Sequence, residues 1–152
     1  MTRVRTAAWV LTGGATVWAA SLPLAAYAAT HGSNLSAAAV YAIGSVICHQ
    51  RPERSFHLWS AQLPVCARCT GIYFGAALGG VVAILTAPRS GSAVWQSATP
   101  ARIALALAVA PAALSLVYEW VTGDTPSNML RAATGIVLGV VAAWVVVREI
   151  VR

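Results

Sequence analysis

Long uncharged apolar runs alternate along this chain with short breaks that carry arginine. Thr6 to Thr30 holds no charged residue, and it exceeds the roughly 20 residues with which a helix crosses a bilayer. Similar runs follow, so the pattern predicts four spans at about 6–29, 69–88, 103–122 and 129–147. Between the first two lies Gly32 to Ile47, whose apolar part, Leu35 to Ile47, is too short to cross. Ser33 or Asn34 would cap a helix there, and we expect an interfacial or re-entrant helix leading into Cys48. Were this stretch a true span, the chain would cross five times and its polar segment would change sides. Ala26-Tyr27-Ala28 also reads as a signal-peptidase site, but the apolar run is longer than the about 7–15 residues of a cleaved signal.

Breakers refine this picture. Pro23 is expected to kink or end the first span, and Pro111 to kink the third. Arg89 to Arg102 reads as a polar linker. Gly123 to Ser127 reads as a turn, with Thr125 as cap and Pro126 as the first helical residue of the last span. Gly71, Gly75 and Gly79 recur every four residues, as do Gly135 and Gly139. Each set makes a bare helix face on which another helix can pack, within the bundle or in a second copy or partner.

Composition places the chain in lipid. Hydrophobic residues make up 59% and charged residues 9%, whereas soluble domains carry about a quarter charged. All ten basic residues are arginine, and the net charge of +6 is spread over helix ends. That distribution argues against nucleic acid and for topology. With the N-terminus inside, Arg3, Arg5, Arg89, Arg102, Arg148 and Arg152 face the cytoplasm, and Arg51, Arg54, Arg68 and Arg131 face outward. We therefore expect one plasma-membrane domain, both termini cytoplasmic, with residues 48–69 as an extracytoplasmic Cys/His loop.

That loop gathers the reactive groups: Cys48, Cys66, Cys69, His49, His57, Arg51, Arg54 and Arg68. Cys66-Ala67-Arg68-Cys69 is a C-x-x-C ahead of a helix, and two chemistries use the spacing. In one, Cys48, His49, Cys66 and Cys69 hold a metal, zinc first, in a tetrahedral site. In the other, Cys66 and Cys69 form and break a disulfide, Arg68 and the helix N-terminus acidifying the thiol. A purely structural role is the third reading, and three cysteines cannot all pair within one chain. Thr70 follows Cys69, so the C-x-x-C-H of covalent c-type haem attachment is absent. His57 reads as a loop residue. Glu119 and Arg131 flank the last turn at similar depth, and Glu119 would anchor Arg131 or Arg68 or accept a proton, since desolvation disfavours a lone charge. Arg51, Arg54 and Arg68 would alternatively meet lipid phosphate.

Cys48-His49-Gln50, Arg54-Ser55-Phe56, Pro64, Cys66, Arg68, Cys69, Gly71 and Tyr73, with Asn128, Arg131, Thr134 and Gly135 later, resemble a family of small bacterial and archaeal predicted membrane proteins of unknown function. The resemblance covers roughly residues 40 to 140. It implies that Arg54, Arg68 and Arg131 belong to the site with the cysteines, that His57 does not, and that Glu119 stands where the family pattern suggests aspartate. It implies no activity. The sequence thus predicts an all-α integral membrane protein that binds metal at its outer face. A thiol–disulfide redox protein and a small auxiliary or headgroup-binding subunit are the rivals. No nucleotide loop, serine triad or carboxylate pair marks it as an enzyme.

Overall fold

The computed structural model describes residues 2–32, 34–86 and 98–151. The chain is an all-α integral membrane protein. Helix α1 spans Thr2–Thr30, α2 Asn34–Ile47, α3 Ala67–Leu85, α4 Ala98–Thr122 and α5 Asn128–Val151. Four of these, all but α2, are long and apolar enough to cross a membrane. At 14 residues, α2 measures about 21 Å, short of the roughly 30 Å hydrocarbon layer.

Helices α3 and α5 form the centre, and glycine sets their spacing. A Cβ at Gly71, Gly75 or Gly79 would run into the carbonyls of Ala132, Ile136 and Val140 respectively. Gly135 and Gly139 meet the carbonyls of Arg68 and Ile72 in the same way. Partner numbers rise together, so α3 and α5 run parallel, backbone against backbone, the packing that lipid favours where hydrophobicity supplies no drive. The two glycine faces therefore bury one another inside the chain; a second copy would need a different surface. Helix α1 lies antiparallel to α3: Thr12 packs on Gly80, and Leu22 on Val65 near Cys48. Ala8, Ala83, Ile84 and Val147 close the end where α1 begins and α5 finishes. Helix α4 packs along α5 and stands off from α3.

Some local expectations change. Helix α1 does not end at Pro23 but runs on through it, and α4 is likewise continuous through Pro111. The last helix starts at Asn128, not at Pro126, because the Ser127 hydroxyl, 3.2 Å from the Leu130 amide, accepts its N–H bond. Of the linker expected at Arg89 to Arg102, residues 89–97 lie outside the described residues, as does Ser33; residues 98–102 already belong to α4. The polar loop holds more order than expected. It has a 3-10 turn at Pro52–Arg54, then a hairpin pairing β1 (His57–Leu58) with β2 (Ala61–Gln62).

Candidate functional site

The loop is built by side-chain amides. Gln50, itself at φ 48°, donates to the carbonyls of Tyr41 and Pro64, at 2.9 and 2.7 Å. Gln62 donates to the Gln50 carbonyl at 2.6 Å and to the Ser55 hydroxyl at 3.2 Å. The Tyr41 hydroxyl returns a short bond to the Gln62 carbonyl. Gly44 lets α2 come this close, since a Cβ there would strike the Pro64 carbonyl. The bonds to Gln50 and Pro64 satisfy loop carbonyls, and together the set carries Cys48, at the end of α2, up to Cys66, at the start of α3.

The result is a thiol cluster. The sulfurs of Cys48, Cys66 and Cys69 all lie within 4.8 Å of one another. Cys48 is 9% exposed and packs with Leu22 and Val65, with Trp18, Val40 and Tyr73 around them. The Cys66 amide donates to the Cys48 sulfur at 3.1 Å. A hydrogen bond from the Cys69 thiol holds Cys66 far below the ordinary value near 9, at about 5, against the opposing pull of burial. His49 stands apart. Cys48 turns inward and Gln50 is pinned, while His49 between them is exposed and adds no ligand atom to the cluster. His57 is exposed on the hairpin.

A second cluster lies on the α4–α5 side. Glu119 on α4 pairs through one oxygen with Arg54 from the 3-10 turn, in a very short contact, and with Arg131 on α5 at 3.4 Å. Arg131 is also bonded to Asn128 at 3.3 Å, and Asn128 reaches the Ser55 carbonyl at 3.1 Å. Arg68 does not join the thiols. Its guanidinium bonds Ser115, one turn from Glu119 on α4, at 2.8 Å. Cys66 therefore owes its acidity first to Cys69, rather than to an adjacent arginine. Gln50 and Ser55 stood in the motifs that carry the resemblance but were given no role, and Ser115 and Gln62 were not singled out; only the i, i+4 relation of Ser115 to Glu119 could have pointed to Ser115.

Fold and clusters together define a small helical membrane protein with a thiol cluster and a charge cluster at one end of its bundle. The chain belongs to the family described as "Predicted membrane protein (DUF2085)", whose model matches residues 48–145. It is 32% identical over 100 residues to an uncharacterised protein of Methanocaldococcus jannaschii, covering 66% of this chain and 61% of that one. It is 35% identical over 94 residues to another from Methanothermobacter thermautotrophicus, covering 62% of this chain and 78% of that one. The match thus spans less than two thirds of the first relative. No solved structure matches.

Proposed function

We propose that this is a plasma-membrane protein that binds a thiophilic cation, zinc in the first instance, through Cys48, Cys66 and Cys69. Both termini face the cytoplasm and the thiol cluster lies at the outer face. The observation that carries this is the convergence of three sulfurs, drawn from the ends of two helices, to within 4.8 Å. Zinc with sulfur at about 2.3 Å in tetrahedral geometry needs sulfurs roughly 3.8 Å apart, a modest contraction. Three protein thiolates leave a fourth position for water or a further ligand, as in catalytic rather than closed structural sites.

Metal analysis of detergent-purified protein tests this. One zinc per chain is expected, cut sharply by Cys48→Ser and by Cys66→Ser, with chelation lowering the stability of the wild type. Three free thiols, no metal and no response to a chelator would overturn the proposal. The lowered Cys66 thiol supports a second reading, thiol–disulfide exchange through Cys66 and Cys69. In that case purified protein carries one disulfide and no stoichiometric metal, and Cys48→Ser changes little.

A further inference from the structure

The charge cluster has a composition that metal binding does not use. Arg54 and Arg131 pair with a single carboxylate, Glu119, and Arg68 bonds Ser115 one turn away, so the four charged groups carry two surplus positive charges. Glu53 and Asp124, the other acidic residues at this end, are exposed and make no ion pair among the described residues. Glu119 and Arg131 are 6% and 3% exposed. Three buried atoms of the cluster have no protein partner: the Nε donors of Arg54 and Arg68, and the second carboxylate oxygen of Glu119. Two donors and one acceptor are thus left over in a site with a charge of plus two. Buried polar groups are rarely left without partners, and each such exception calls for an explanation.

One ion matches all three counts. Hydrogenphosphate carries two negative charges, several oxygens to receive guanidinium donors, and one P–OH that can donate to a carboxylate. Guanidinium forks suit phosphate geometry better than an ammonium does. Arg68 joins α3 to α4, which make little direct backbone approach to each other, and the Arg54 side chain, 32% exposed, puts one edge of the cluster at the protein surface. We propose that the start of α3, the end of α4 and the start of α5 form a site for a phosphate that carries one P–OH. Arg54 and Arg68 donate to the phosphoryl oxygens there, and the free oxygen of Glu119 accepts the P–OH. The phosphate is inorganic hydrogenphosphate, or the head of a lipid monoester as its singly protonated monoanion, which keeps the P–OH. This site shares no residue with the thiol cluster and stands whether or not that cluster binds metal.

Radiolabelled phosphate and radiolabelled sulfate, each titrated against the full chain in lipid-free detergent, read the proposal directly. Sulfate has no proton to offer Glu119 and is expected to bind at least about tenfold more weakly. Arg68→Gln is expected to weaken phosphate about tenfold as well, while Arg102→Gln, exposed near the opposite end of α4, leaves it unchanged. Glu119→Gln should erase the preference over sulfate. Nanodiscs of phosphatidylcholine with or without phosphatidic acid separate the sources. Displacement of phosphate by phosphatidic acid identifies a lipid headgroup, and no displacement identifies the free ion. Sulfate bound as tightly as phosphate by the wild type would overturn the proposal whatever the variants do. So would a phosphate affinity that Arg68→Gln and Arg102→Gln change equally.

Discussion

Replacing Glu119 by glutamine removes one negative charge and almost no volume, so its cost isolates what the carboxylate does for the folded state. Two arginines depend on it. Arg131 is 3% exposed and has no other acidic partner among the described residues; stripping a buried charge of its partner costs about 3–5 kcal/mol. The Arg54 side chain is a third exposed, and a pair of that kind is worth only about 0.2–1 kcal/mol. Glutamine still offers an oxygen to the same donors, and water reaches one side of the cluster, so we expect about 3 kcal/mol, near the low end of the range. At roughly 2–4 °C per kcal/mol for a chain of this size, the midpoint should fall by about 6–12 °C. Thermal unfolding in detergent, followed by circular dichroism, measures it, with Asp124→Asn in the exposed turn as comparison, expected within about 0.5 kcal/mol. Adding Arg131→Met to Glu119→Gln should recover part of the loss, since the stranded cation is then gone. Equal, small effects of Glu119→Gln and Asp124→Asn would refute the reasoning and make Glu119 a solvated side chain.

Three further outcomes are expected. In metal-free protein, alkylation of Cys66 should rise as pH increases through about 5. Because this thiol is depressed in the folded state, its contribution to stability is complete above the unfolded value near 9 and lost as pH falls toward 5. Cys69→Ala should move the alkylation midpoint upward; mass spectrometry after timed labelling reads both. Gly139→Ala should cost about 1–3 kcal/mol by forcing α5 off the Ile72 carbonyl, while Gly13→Ala, with open space around it, should be neutral or slightly stabilising. Last, a membrane-impermeant thiol reagent should label the chelator-treated protein in intact cells; labelling only after the membrane is opened would reverse the proposed orientation.

The long helices were legible because lipid leaves the sequence little choice: an uncharged run of that length has one stable conformation there. Glycines every four residues announced close packing, but not that α3 and α5 would use both faces on each other. The hairpin at 57–62 was hidden for a physical reason. Its turn places Trp59 and Ser60 at φ 50° and 63°, a conformation normally signalled by Asn-Gly, so no turn chemistry marked it. Proximity in sequence also misled. Cys66 and Arg68 are two residues apart, yet at the head of a helix that separation points side chains to nearly opposite sides. One chemical segment thus serves two clusters. Glu119 with Arg131 was readable from the turn between them, whereas Arg54 comes from a 3-10 turn of the loop, more than sixty positions upstream of Glu119 in the numbering.

The order in which the pieces are made follows from where the two clusters draw their residues. All three sulfurs and the amides that gather them lie within the first 69 positions, so the thiol cluster is complete in sequence once α3 has begun. The partner of Arg54 arrives only with α4, and the anchor for Ser55 only with α5. A nascent chain paused after α3 would hold its thiols while the loop around them was still unpinned on its far side. Insertion of the final hairpin then supplies the last bonds that pin the loop.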